Sequence, residues 1–202
     1  MDGTNRNVDW FEVRRKLVHI LTGILISFLI YFDILQWWMA FLVLVLGIIT
    51  FFLYKRIQIP IIHWFIKNFE RPEYKETFPG KGALFLVVSV FFLTIFFSKN
   101  IIIGALMIWT FGDSISALVG KHYGSRIHPL NNRRLIEGTI AGMVTATIAA
   151  SFFVGWISAF IASLIAMSLE SLELRFAKHP IDDNLLVPLV AGVLLYMLSF
   201  VV

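Results

Sequence analysis

The feature that most constrains this chain is a succession of apolar runs, each near 20 residues, separated by breaks as short as "SKN" and "VGW". The hydrocarbon core of a bilayer is about 30 Å thick and takes about 20 helical residues to cross. Inside it every backbone amide and carbonyl must find a partner within the fold, which leaves helices as the answer for runs of this length. Seven segments fit: 17–34, 36–54, 82–98, 100–119, 138–154, 156–174 and 184–202. Hydrophobic residues make up 58% of the 202 positions, more than a soluble domain of this size needs. The expected fold is all-α: a polytopic membrane helix bundle of about seven transmembrane helices, one integral membrane domain over residues 1–202. No cysteine is present, so disulfides and thiolate metal sites are excluded. The first run follows Arg14, Arg15 and Lys16 without a small-residue cleavage site, so it reads as a retained anchor.

Charge placement orients the bundle. Of the 17 lysines and arginines, all but Lys99 fall on one set of loops, including Arg6, Lys55, Arg56, Arg126, Arg175 and Lys178. Basic residues stay on the cytoplasmic side, so the N-terminus is expected there, and an odd number of spans puts the C-terminus opposite. Trp37, Trp38 and Trp156 then sit at the outer interface. The net charge of +4 is accounted for by these loops, so no nucleic-acid partner is expected. Between the second and third spans, "PIIHWFIKNFE" places Ile61, Ile62, Phe65, Ile66 and Phe69 on one helical face, as in a helix lying in the cytoplasmic headgroup layer. The third span is rich in phenylalanine, which suits a lipid-facing exterior. The fifth carries Gly138, Gly142, Ala146 and Ala150 at four-residue spacing, and the sixth is dotted with small residues. Small residues let helices approach closely, so spans five and six are expected near the middle of the bundle.

Asp113 lies inside the fourth run, where a carboxylate costs about 2.5–3.5 kcal/mol on insertion scales. Other polar residues gather on the same cytoplasmic half. Glu12, Lys16, His19 and Gly23 form one stripe down the first helix; Glu137 opens span five, Glu170 and Glu173 close span six, and Asp182, Asp183 and Asn184 open span seven. The outer half carries only Asp33 and Lys99. A cavity open to the cytoplasm fits this better than a path through the bilayer. Each group also has a plain structural reading: Asp182, Asp183 and Asn184 as helix caps, Glu170 and Glu173 as a solvated helix end, His19 as a packing residue, Arg133 and Arg134 as topology signals. Together they suggest more. Several carboxylates on one cavity repel unless a cation sits among them, and carboxylates beside phosphates are the usual ligands of Mg²⁺. Gly120 and Gly124 permit close backbone approach, Lys121, Arg126, Arg133 and Arg134 add positive charge, and the amides opening span five at Glu137 and Gly138 offer an anion site. This combination points to a polyphosphate nucleotide at a membrane face. There is no "GxxxxGK[ST]", so it is not a P-loop.

The stretch "GDSISALVGKHYG" followed by "NNRRLIEG" resembles the Gly-Asp…Ala…Gly…Gly and Lys-Lys-x-x-Glu-Gly pattern of CTP-using membrane enzymes. Two groups share it: the CTP-dependent lipid kinases (dolichol kinase, phytol kinase, CTP-dependent diacylglycerol kinase) and the phosphatidate cytidylyltransferases. "EVRRKLVHILTG" at 12–23, "PGKGALF" at 79–85 and "IDDNLLVPLVAG" at 181–192 resemble the kinase group, and the cytidylyltransferase ending is not found. At 133–135 the chain has Arg-Arg-Leu where the family carries lysines followed by a hydroxyl residue.

The resemblance implies a CTP-dependent kinase that moves the γ-phosphoryl group onto a membrane lipid alcohol, with a polyprenol- or dolichol-type isoprenoid the leading acceptor and a diacylglycerol the nearest alternative. It implies Mg²⁺ as cofactor, with CTP and membrane lipids as partners. Asp113, Arg15, Lys16 and His19 would be catalytic. Lys81, Gly112, Gly120, Lys121, Gly124, Arg133, Arg134 and Gly138 would bind the nucleotide. Asp113, Glu137 and Asp183 would hold metal, with Glu170, Asp182 and Asn184 as further site residues. The site would face the cytoplasm, in a prokaryotic plasma membrane or, in a eukaryote, the ER. A cytidylyltransferase making a CDP-lipid would use the same pocket. A small transporter, with Asp113 coupling an ion, is the alternative of another class, but transporters place such groups near the midplane of inverted halves and no repeat is visible.

Overall fold

A computed structural model describes residues 9–54, 56–57, 59–129, 131–172, 175–176 and 179–201, with side chains for all of these except 132, 133, 175, 176, 179 and 180. Arg6, Lys55, Glu173 and Lys178 lie outside the described residues. Helix α1 (Trp10–Tyr31) starts where the Asp9 carboxylate accepts the Phe11 and Glu12 amides. It is followed by α2 (Trp37–Tyr54), α3 (Pro60–Phe69) and the single turn α4 (Pro72–Lys75), the last two each opened by a proline whose missing N–H is no loss there. Gly80, at φ 76°, reverses the chain into α5 (Lys81–Phe96), and α6 (Lys99–Tyr123) follows after a two-residue break. A short hairpin, β1 (Ile127–His128) with β2 (Asn131–Leu135), leads to α7 (Ile136–Ser151) and α8 (Trp156–Ser171). A second hairpin, β3 (Arg175–Phe176) with β4 (His179–Pro180), precedes α9 (Asp183–Leu198), which Asp182 caps through the Asn184 amide.

The molecule is thus helical, with two small antiparallel hairpins that the apolar pattern did not signal. Helices α1, α2, α5, α6, α7, α8 and α9 lie on the apolar runs of the sequence. Of these, α2 and α6 are long and apolar enough to cross a membrane by length and composition. The helices α5, α7, α8 and α9 have 16 residues each, about 24 Å at 1.5 Å per residue. Helix α1 begins seven residues before the apolar run (17 − 10), because the Asp9 cap and an Arg15–Glu12 ion pair at 2.5 Å support its polar first turns.

The centre of the bundle is α6. Every residue from Ile101 to Thr110 is buried, as suits a helix that is apolar all round. Here the sequence expectation is corrected: α7 and α8 do not form the middle, and Ile140, Ile148, Ile157 and Phe160 leave their outer faces exposed. Small residues do bring α7 onto α6. A Cβ on Gly142 would stand 2.6 Å from the Gly112 carbonyl oxygen, and one on Gly138 would strike the Ser116 carbonyl. Around α6 stand α1, α7 and α9; α8 packs on α7 and α9, α5 on α9, and α2 on α5. On α5, Phe92 and Phe96 face outward as expected, while Phe91, and Phe97 just past the helix end, pack on the core.

Helices α1 and α2 are consecutive yet make their main contacts elsewhere: α1 lies on α6 and α3, and α2 on α5. At the far end of the bundle, Lys99 Nζ meets Asp33 at 2.5 Å and donates to the Tyr31 carbonyl at 3.1 Å. This ties the α1–α2 turn to the start of α6. Asp33 itself takes φ 58°, a left-handed conformation aspartate tolerates better than most residues.

Candidate active site

The polar residues of α1, α6, β2, α8 and α9 converge at the end of the bundle away from Lys99. There a cavity of about 1330 Å³ opens between α1, α2, α3, α5, α6 and α9. Asp113 forms its floor, 6% exposed in the C-terminal half of α6. Lys16 Nζ, itself 1% exposed, donates to Asp113 Oδ2 at 2.6 Å. His19 Nε2 stands 3.4 Å from the same oxygen and has no hydrogen-bond partner among the described residues. Its ring lies on Trp109, with centroids 3.9 Å apart. The stripe expected on α1 therefore turns Lys16 and His19 toward Asp113. Gly23, one turn further, lies where a side chain would collide with Thr110, and so brings α1 against α6.

Beside Asp113 stand two further carboxylates. One oxygen each from Asp113, Glu170 and Asp183 lie within 4.8 Å of one another. Arg134 joins them from the first hairpin: it donates one nitrogen to Glu170 Oε1 and another to Asp183 Oδ2 at 3.2 Å. Burial pulls against its charge, but the Glu170 and Asp183 carboxylates outweigh it and hold Arg134 above the usual guanidinium range. Glu170 is 1% exposed, and its second oxygen, Oε2, is buried without a hydrogen-bond partner among the described residues. An unpartnered carboxylate oxygen in a buried cluster of three is costly unless a cation completes it. The donor set, all carboxylate oxygen, fits a hard divalent ion such as Mg²⁺.

A second network joins the cluster to α5. Trp109 Nε1 donates to Asn184 Oδ1 at 3.1 Å, and Asn184 Nδ2 donates to Asp182 Oδ1 at 2.7 Å. Asp182 Oδ2 is 3.7 Å from Lys81 Nζ, which stands over the Tyr74 ring at 4.5 Å. Asp182 is indeed a helix cap, as its plain reading allowed, and at the same time part of the pocket wall. Arg15, paired with Glu12, lines the wall opposite.

Other residues singled out in the sequence fall differently. Glu137 lies apart from the three carboxylates: it is at the surface, accepting from Ser125 Oγ at 2.8 Å and the Arg126 amide at 3.1 Å, and it closes the loop leading to the hairpin. Gly112 and Gly138 are buried in helix packing, Gly112 against Met167 and Gly138 against α6. Gly120 and Gly124 border the cavity, but what they face is Gly138 and Leu135. Lys121 pairs with Asp9 at the rim. The side chain of Arg133 lies outside the described residues.

Two wall residues escaped the sequence reading. Glu70 accepts the Gly80 amide at 3.0 Å and the Arg71 amide at 3.2 Å, and burial pushes its carboxyl up despite these bonds. Its signal was its position as the acidic end of an otherwise apolar amphipathic helix. Trp109 was visible as an indole deep within an apolar run, far from either interface.

Comparison with known proteins gives relatives over 41% to 98% of the chain. An uncharacterized protein of Methanocaldococcus jannaschii is 27% identical over 90% of this chain and 91% of its own length. Phytol kinase 1, chloroplastic, of Arabidopsis thaliana is 30% identical over 98% of this chain and 69% of its own. CTP-dependent diacylglycerol kinase 1 of Eremothecium gossypii is 26% identical over 41% of this chain and 26% of its own. No family model matches the chain. No solved structure matches it either.

Proposed function

This chain belongs to the lipid kinase family that includes phytol kinase and CTP-dependent diacylglycerol kinase, and from that premise we propose that it transfers the γ-phosphoryl group of CTP to a membrane-embedded isoprenoid alcohol of the polyprenol or dolichol type. The observation that carries this reading is the pocket floor: three carboxylates with oxygens within 4.8 Å of one another, one further oxygen buried without a partner among the described residues, flanked by Lys16 and Arg134. Alternating acids and fixed cations are what a metal-bound polyphosphate requires. Phosphoryl transfer asks mainly for positioning and charge neutralisation.

In this reading Asp113, Glu170 and Asp183 hold Mg²⁺, which when bound neutralises the polyphosphate and steadies the charge that develops on transfer. Lys16 and Arg134 lie close enough to the carboxylates to contact phosphate oxygens beside them, with Arg15 and Lys81 on the walls and Lys121 at the rim. The acceptor hydroxyl oxygen attacks the γ-phosphorus, the bond to the β,γ-bridging oxygen breaks, and CDP leaves. The hydroxyl proton passes to His19 Nε2, a nitrogen free of other partners at the pocket floor. Trp109, whose ring packs tilted against the imidazole at 39°, helps to hold it in place. Glycines 112 and 138 serve this site indirectly, by setting the α6–α7 distance.

The bundle would cross the membrane seven times with its N-terminus in the cytoplasm, which puts the pocket on the cytoplasmic face. The archaeal relative of matching length supports a prokaryotic plasma membrane as its place. The test is purified protein in lipid discs with Mg²⁺ and γ-labelled CTP, offered a polyprenol, a phytol-type alcohol and a diacylglycerol. The polyprenol should take the label, and Asp113→Asn should abolish transfer without lowering thermal stability. Preferential labelling of diacylglycerol would replace the acceptor assignment. Absence of label on every alcohol would overturn the kinase reading.

A further inference from the structure

The cavity has two zones, and the kinase chemistry uses only one of them. Above the polar floor it continues as an apolar slot between α1 and α2, walled by Val18 and Thr22 on one side and Val43, Leu46 and Gly47 on the other, with Leu86 of α5 behind. On α1, Val18 and Thr22 flank His19, Thr22 about 4.5 Å further along the axis, so the slot runs directly into the site. Its frame is closed at both ends. The 32–36 turn joins α1 to α2 at the end away from the site, and α3 bridges back to α1 at the site end, turning Ile62, Phe65 and Ile66 into the cavity. Between those limits α1 packs mainly on α6 and α3 and α2 on α5, and the wall residues Val43 and Leu46 are themselves exposed, so the slot opens sideways as a window.

What lies outside the window is set by its frame. On α1, Leu21 and Leu25 are exposed, and on α2, Leu42 and Ile49 are exposed; Ala40 alone is buried in α2 among the described residues. In a bilayer these faces meet lipid tails. A window between two lipid-facing helices admits hydrocarbon from the side, and a polar molecule from the cytoplasm would have to pass the apolar face of α3 to reach it. Gly47 sits on the wall with one neighbour, a Leu84 methyl 3.6 Å from where its Cβ would be. No close approach among the described residues requires glycine there, and its lack of a side chain leaves the slot wide at this point.

We infer that the α1–α2 window is the acceptor portal: the tail of the lipid alcohol lies in the slot along Val43–Thr50, its hydroxyl reaching the His19–Asp113 floor, and α3 closes over it from the cytoplasmic side. The inference rests on the kinase reading for the identity of the occupant. It makes Gly47 a specificity-determining position, where added bulk fills the slot without disturbing the carboxylates.

The experiment uses the full chain in lipid discs and a long-chain alcohol carrying a diazirine at its tail end, beside a phosphatidylcholine with the same tail. Labelling needs no CTP, so it reads binding apart from catalysis. The alcohol should label α1 and α2 around residues 18–22 and 43–50, in competition with unlabelled alcohol. Gly47→Phe should remove that label and raise the KM for the long-chain alcohol about tenfold with the KM for CTP unchanged, while Ile48→Phe on the lipid face should do neither. Label on the α7–α8 face, equal labelling of the slot by phosphatidylcholine, or a Gly47→Phe variant with normal alcohol KM would overturn the portal. Slot labelling by the alcohol in a protein that transfers no phosphate would instead strike at the kinase reading alone.

Discussion

At the scale of single residues, the site turns on how a membrane protein keeps charge inside. Asp113 was legible because a carboxylate interrupting an apolar run is costly, and Lys16 and His19 because helical spacing puts them on one stripe. Glu170 was harder to separate from a solvated helix end, since its burial is created by Arg134 arriving from a hairpin 36 residues earlier (170 − 134). Glu137 shows the reverse. Sequence gives it the same helix-start position as a ligand, but its partners are Ser125 and Arg126. If Glu170 completes the divalent site, Glu170→Gln should weaken Mg²⁺ at least about tenfold, read as a rightward shift in Mg²⁺ activation with a smaller change in the KM for CTP. An unchanged Mg²⁺ dependence would make Glu170 only the structural partner of Arg134.

At the scale of elements, the existence and approximate ends of the helices followed from apolar runs, caps and prolines. Their arrangement did not. Four-residue spacing of small residues correctly marks α7 as a helix that approaches another closely, but it cannot say which helix receives it. The receiver is α6, whose own Gly112, Ser116 and Gly120 form the matching face. The glycines flanking Asp113 therefore answer to packing first. Because the Gly112 carbonyl stands where a Gly142 side chain would project, Gly142→Leu should destabilise the protein by about 1–3 kcal/mol, as overpacking commonly does. It should also depress transfer, since α6 carries Asp113. Thermal unfolding of the variant in lipid discs measures the first effect. A stability equal to that of the native chain would mean the two helices are not in contact there.

At the scale of the whole molecule, charge distribution and fold agree. Among the described residues, the end bearing nearly all the lysines and arginines is the end where the pocket opens, and the single such cation of the opposite end, Lys99, pairs with Asp33. Short hairpins carry Arg134 and link α8 to α9, and apolar periodicity is blind to both. With no native cysteine, the orientation can be read directly from single substitutions in intact cells. A membrane-impermeant thiol reagent should label Ser98→Cys from outside and Ser125→Cys only after permeabilisation, and the opposite pattern would invert the bundle.

The measurement that bears most directly on the account is the fate of CTP labelled separately at the α and γ phosphates, with an isoprenoid alcohol and phosphatidate offered together in lipid discs containing Mg²⁺. Label should pass from the γ position to the alcohol, leaving CDP with its α label intact. Passage of the α label into a CDP-lipid, with pyrophosphate released, would contradict the kinase account and make the same pocket that of a cytidylyltransferase.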